Sequence, residues 1–159
     1  MTAILTMQTG RPFDVLGTRD SLRVGRVNRA DLVGDPFAGG GTFADGTKVF
    51  FSNNRAAFAN PAFDTPATIG RNQFHGPSFV NLDMSVAKRM KVWENVSIEL
   101  RLEAYNVMNH PNFNNPGDDP AAVGNQIGTS VFGQILSQLG RPDGTTGARQ
   151  LQMAAKFVF

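Results

Sequence analysis

The chain has 159 residues, enough for one domain, and its 15 Lys and Arg against 13 Asp and Glu give a formal charge of +2. The basic residues form no stripe, so no nucleic-acid surface is expected, and the lack of cysteine excludes both a disulfide scaffold and a thiolate zinc site. Charged residues make up only 18%, which is sparse for a solvated surface, while 17 Gly and 9 Pro favour turns over helices.

No run of ~18 apolar residues could form a transmembrane helix. The start, "MTAILTMQTGRPF", lacks the basic opening and long apolar run of a signal peptide. Residues 2–9 carry a short alternation, with Ala3, Leu5 and Met7 against Thr6 and Gln8. From Arg11 to Gly76 no period of 2 or 3.6 is sustained. The segment is punctuated by "GDPFAGGGTFADG", "SNNRAAFANPAFDTP" and "GRNQFHGP". A structureless stretch this long argues against a compact soluble domain unless the loop is itself functional.

Residues 79–91, "FVNLDMSVAKRMK", then alternate cleanly. Val80, Leu82, Met84, Val86 and Met90 take one face, and Asn81, Asp83, Ser85, Arg89 and Lys91 the other, with Lys88 the exception on the apolar side. Residues 95–107 do the same, with Val96, Ile98, Leu100, Leu102 and Ala104 opposite Ser97, Glu99, Arg101, Glu103 and Tyr105. The end, 148–159, sets Leu151, Met153, Ala155, Phe157 and Phe159 against Gln150, Gln152, Ala154 and Lys156. Period-two alternation marks a strand with one apolar and one polar face.

Two architectures take such strands: a soluble β-sandwich and a membrane barrel. The runs span ~12–13 residues, whereas soluble strands centre on about 5–6 and a tilted barrel strand needs about 9–11. Glu99, Arg101 and Glu103 place both signs of charge in mid-strand, as a water-filled or plugged lumen allows, and the opposite faces are almost purely aliphatic. The expected fold is therefore all-β: an antiparallel transmembrane β-barrel segment of about four strands, 2–9, 79–91, 95–107 and 148–159, with long external loops.

Residues 80–116, "VNLDMSVAKRMKVWENVSIELRLEAYNVMNHPNFNNP", followed by "FGQI" and the ending "RQLQMAAKFVF", resemble the C-terminal end of TonB-dependent outer-membrane receptors. The likeness is to the branch carrying a carboxypeptidase-regulatory-like N-terminal domain. "EAYNVMNHPNF" falls where the wider family has an acidic residue, N-L-F-(D/N) and a loop, with Val107 and Met108 replacing the Leu and Phe inside an Asn106 and Asn109 frame. "LTMQTGRPF" is similar to that branch's "SGRPF" loop start. The likeness covers residues 1–13 and 70–159.

The resemblance implies that Leu151, Met153, Ala155, Phe157 and Phe159 form the terminal signal read by the barrel assembly machinery. It implies that Asn81, Asp83, Ser85, Arg89, Ser97, Glu99, Arg101, Glu103, Gln150, Gln152 and Lys156 face the lumen and plug, with outer-membrane lipid on the other side. Trp93 would sit at the periplasmic interface. Members close about 22 strands around a plug and carry a signal peptide and a segment that contacts TonB. The chain shows four strand candidates and none of those parts, so residues 1–159 are expected to be a fragment of a longer receptor, from a Gram-negative outer membrane. In the intact parent the implied function is energised uptake of a bound ligand, with the loop 11–78 helping to form the external binding surface. Alternatives are a soluble or secreted sandwich binding module and a passive porin or adhesin barrel.

No cofactor, metal site or catalytic centre is expected. His75 and His110 have no second ligand at metal-binding spacing, and Asp118 with Asp119 lacks an EF-hand pattern. "GGG" at 39–41 is not followed by Lys-Ser/Thr, "NVS" at 95–97 lies inside a strand pattern, and Ser78, Ser85 and Ser130 belong to no triad motif. Asp83, Glu99 and Glu103 read as lumen charges rather than catalytic carboxylates.

Parity adds two expectations. Cross-strand partners share a face, so the turn joining 79–91 to 95–107 must hold an odd number of residues, three, within 91–95. Opposed pairs must then sum to 184, 186 or 188. A rising strand followed by a descending one leaves room for zero or two crossings between them. Residues 108–147 are therefore expected to be one external loop, with 130–139 a short strand or extension above the membrane and 95–107 paired directly with 148–159. The segment 10–78 is external by the same argument.

Overall fold

The computed structural model describes residues 1–38, 49–51, 55–119, 122–140 and 147–159. In chain order the elements are β1 (Thr2–Gln8), β2 (Pro12–Phe13), β3 (Asp31–Leu32), a 3-10 turn (Arg55–Ala57), β4 (Phe58–Ala59), β5 (Phe74–His75), β6 (Phe79–Lys91), β7 (Ser97–Tyr105) and β8 (Gln150–Val158). They fall into two compact units. One comprises 1–8, 79–112 and 139–159; the other comprises 9–78 and 113–138.

The first unit is a four-stranded antiparallel sheet in the order β1-β6-β7-β8. Its register carries the alternation of each strand across the whole sheet. Leu5 lies opposite Leu82, Val86 opposite Leu102, and Leu102 opposite Met153, so one face is aliphatic from edge to edge. The β6–β7 pairs sum to 188, with Arg89 opposite Glu99. Val92 and Val96 close the hairpin through a 2.9 Å bond, leaving Trp93, Glu94 and Asn95 as a three-residue turn. The length is the one parity requires, one residue later than the 92–94 implied by the sequence boundaries.

β7 pairs directly with β8 over nine residues, from Ser97↔Val158 to Tyr105↔Gln150. No strand intervenes. The end of the sheet where β1 stops and β6 begins is also the end where β7 stops and β8 begins, so both long excursions leave from one rim.

The second unit is where the sequence reading needs correction. The segment 11–78 lacks periodicity but is not structureless. Phe13, Val15, Ala30, Phe51, Ala57, Phe58, Ile69, Phe74 and Phe132 form one buried cluster. Phe51 is fully buried at its centre, 5.0 Å from Phe58 and from Phe74 and stacked at 5.6 Å on Phe132. Among the described residues, two-residue ladders, β2 with β5 and β3 with β4, and a few isolated bridges frame that cluster. At Gly10 and Gly76 two backbones run so close that a Cβ on Gly10 would lie 1.7 Å from the Gly76 carbonyl oxygen.

Residues 130–139 likewise form no strand. They run through turns with isolated bridges, Gln134 to Val49 and Gln138 to Phe113. Phe132 is 2% exposed within the phenylalanine cluster, so its apolarity serves that core rather than a strand face.

Candidate functional site

The two faces of the sheet differ in chemistry and in what they touch. On the aliphatic face, exposure reaches 69% at Met7, 49% at Leu102, 81% at Met153 and 58% at Phe157. The buried hydrophobic cluster draws on the other unit alone. An aliphatic surface of this breadth on a soluble protein would be an aggregation or interaction patch. In a bilayer it is the face that lipid requires.

The opposite face is a hydrogen-bonded polar row. Arg101 lies between two carboxylates on its own strand, 3.3 Å from Glu99 and 3.7 Å from Glu103. The Tyr105 hydroxyl donates to Glu103 at 2.9 Å, and Arg89 Nε donates to the Ser97 hydroxyl at 3.0 Å. Asn81 donates to Asp83 at 2.9 Å, and the same Asp83 oxygen accepts the Asn106 backbone N–H. Ser85 lies opposite both Thr2 and Glu103; Gln150, Gln152 and Lys156 lie opposite Tyr105, Glu103 and Glu99. All eleven residues named from the sequence for the polar side thus share one face of the sheet.

Leu151, Met153, Ala155 and Phe157 share the other face, opposite Ala104, Leu102, Leu100 and Ile98. Phe159 lies one residue beyond β8 and is 92% exposed. Trp93 occupies the hairpin turn at 77% exposure.

Where the strands end, asparagines take over. Asn106 stops β7 with φ at 49°, a left-handed value that asparagine tolerates better than most residues. Only 3% exposed, it donates to the His110 carbonyl at 3.0 Å and the Gly147 carbonyl at 2.6 Å, and accepts the His110 N–H at 3.0 Å. Asn109, at φ 50°, accepts the Arg149 N–H at 3.1 Å. Asn112 binds both backbone groups of Val80. "YNVMNHPN" is therefore a knot joining the ends of β6, β7 and β8. The sequence marked its Asn106 and Asn109 frame by resemblance but missed Asn112, whose spacing of three from Asn109 was the available signal.

The remaining candidates resolve into structural roles. His75 sits in the short ladder opposite Pro12. Asp118 accepts Arg11 Nη2 at 2.7 Å. Among the described residues no three His, Cys, Asp or Glu side chains converge to hold a metal. The triglycine at 39–41 lies outside the described residues.

Asp20 is a feature that the sequence did not signal. Its carboxylate accepts the Val24 N–H at 3.0 Å and the Gly25 N–H at 2.6 Å, around a turn with left-handed Arg23 and Gly25. Desolvation alone would raise its pKa. Backbone N–H bonds from Val24, Gly25, Arg26 and Arg23 outweigh that and hold it below the ordinary aspartate range.

An exposed aliphatic face backed by a hydrogen-bonded polar face, on long antiparallel strands, defines the wall of a membrane β-barrel. Residues 1–152 match the outer membrane beta barrel domain family, and the chain belongs to that family. Its place is the outer membrane, and the family fits a structural or transport protein. No curated protein and no solved structure matches the chain.

Proposed function

We propose that the chain is the C-terminal barrel segment of a TonB-dependent receptor, serving energised uptake of a bound ligand across the outer membrane. The observation that carries this reading is β8, which is joined along its length to β7 and sets Leu151, Met153, Ala155 and Phe157 on the aliphatic face, with Phe159 next in the same alternation. The resemblance of "EAYNVMNHPNF" to the receptor family supports it further.

In this reading β8 and β1 are the edges to which the rest of the barrel joins, since an open edge is not tolerated in lipid. The row from Asn81 to Lys156 faces the lumen and plug, and the unit of 9–78 and 113–138 lies outside the cell. Trp93 sits at the periplasmic interface, where amphipathic aromatics prefer to lie. Lys88, opposite Leu100 near the hairpin end, snorkels toward headgroups. TonB acts through a plug-bearing N-terminal part, and the assembly machinery reads β8.

The test is the parent gene. Reading the locus upstream of codon 1 should yield a plug and about 18 further strands, given the roughly 22-stranded transporter barrel. The encoded receptor should co-purify with the periplasmic domain of TonB. A complete frame with no plug, whose product conducts ions passively in planar bilayers, overturns the reading in favour of a porin.

A further inference from the structure

The unit of 9–78 and 113–138 contains a cavity of about 330 Å³, at the lower end of the usual range for small-molecule sites. Three arginines from two separate segments line it, Arg26 and Arg29 from one and Arg71 from another. Among the described residues no carboxylate lies within ion-pair distance of any of the three. The carboxylate in the lining is Asp14, and its Oδ1 accepts the Asn72 N–H at 2.7 Å. Three guanidiniums against one engaged carboxylate make the cavity electropositive.

Part of its lining is fixed before any ligand arrives. Arg29 is half-buried and its Nε is held by the Ile69 carbonyl at 3.0 Å, which leaves its terminal nitrogens to the cavity. Arg26 follows directly on the turn that the Asp20 carboxylate organises. Asn28, also in the lining, ties the far side of that turn by accepting the Ser21 hydroxyl at 3.1 Å and the Leu22 N–H at 2.9 Å. Leu22, Val27 and Pro66 complete an apolar wall beside the cations.

Planar guanidiniums bind carboxylate and phosphate oxygens in pairs. An apolar wall adjoining them selects against a bare inorganic ion, which would leave it solvated. We infer that this cavity binds a small organic anion, with carboxylate or phosphate oxygens on Arg26, Arg29 and Arg71 and an apolar body along Leu22, Val27 and Pro66. The inference deepens the uptake reading by assigning its external unit a ligand class, but it is tested by binding alone.

The chain within its assembled parent barrel, extracted in dodecyl maltoside to avoid phosphate-bearing detergents, is titrated with phenyl phosphate, benzoate, inorganic phosphate and neutral benzyl alcohol. Binding of phenyl phosphate or benzoate is expected, stronger for whichever headgroup the native ligand carries, at least about tenfold tighter than inorganic phosphate or benzyl alcohol. R26Q/R71Q should weaken it at least about tenfold, R26K/R71K by less, and added salt should weaken it progressively. L22S should weaken phenyl phosphate and leave inorganic phosphate unchanged.

Failure of both organic anions to bind, or binding that R26Q/R71Q leaves intact while circular dichroism matches the wild type, overturns the inference. Equal affinity for inorganic and phenyl phosphate also overturns it. None of these outcomes bears on the plug or the TonB contact, which the parent gene decides separately.

Discussion

Asn112 holds both backbone groups of Val80. Its Oδ1 accepts the Val80 N–H at 2.8 Å and its Nδ2 donates to the Val80 carbonyl at 3.0 Å, across 32 residues of sequence. A side-chain amide here reproduces what a neighbouring strand would offer, on the β7 side, where the ladder has already ended at Met84 opposite Ala104 while Met7 of β1 still faces Val80 on the other side. At 3% exposure the amide has little access to water.

Asn112→Ala should therefore leave a donor and an acceptor of Val80 unsatisfied, at a cost of about 1–3 kcal/mol. Hydrogen exchange at the Val80 amide should accelerate while mid-strand amides such as Ile98 keep their protection. Unchanged exchange at Val80 would show that the amide is solvated by another route.

Phe51 should be the most sensitive position of the second unit. It is fully buried and its ring meets Phe13, Phe50, Phe58, Phe74 and Phe132 at centroid distances of 4.9 to 5.8 Å. Phe51→Ala should destabilise the unit by about 3–5 kcal/mol, read as proteolysis of the 9–78 segment in a barrel that still assembles. Phe63→Ala, at an exposed ring against Arg19, should cost far less.

These two sites mark what the sequence could and could not reveal. The sheet was legible because each strand repeats a two-residue period over nine or more residues in β6, β7 and β8, and parity then dictated the odd turn and the β7–β8 pairing. The phenylalanine core was not. Its rings come from segments around 13, 51, 58, 74 and 132, each too short to show a period, and they meet only through turns. Residues 130–139 run through turns for the same reason: the partner of Phe132 is Phe51, not a strand neighbour. The arginine cavity was equally hidden, since single arginines at 26, 29 and 71 carry no motif.

The Asp20 turn should respond to acid. A carboxylate whose folded pKa is lowered contributes stability that is fully present above its unfolded pKa and lost as pH falls through the folded value. Amide shifts of Val24 and Gly25 should follow one titration, centred below the ordinary aspartate range. Asp20→Asn should abolish that titration. A midpoint above the ordinary range would contradict the four backbone bonds.

In an otherwise intact parent receptor, deleting Phe159 or making Phe159→Ser should reduce assembly into the outer membrane, whereas Lys156→Gln on the polar face should matter little. The readouts are surface display and heat-modifiable mobility on gels. Full assembly of the Phe159→Ser protein would remove the terminal strand from the assembly signal.

Topology makes the last prediction, because all of it follows from one rim. β1 and β7 end where β6 and β8 begin, so the segments 9–78 and 106–149 must emerge on the same side of the membrane. The β6–β7 turn at 93–95 emerges on the other. Barrels of this kind keep short turns in the periplasm and long loops outside. A cysteine at Asp118, whose side chain is 37% exposed, should therefore react with an impermeant maleimide on intact cells carrying the assembled parent. One at Glu94 should react only after the outer membrane is opened. Asp118 accepts Arg11, so Val123→Cys, at 50% exposure on the same excursion, serves where the lost ion pair disturbs the loop. Glu94 labelled on intact cells while both loop cysteines stay protected would invert the sheet. Labelling on opposite sides for Val123 and Asp118 would require a crossing between β7 and β8, and the nine paired residues joining those strands leave no place for one.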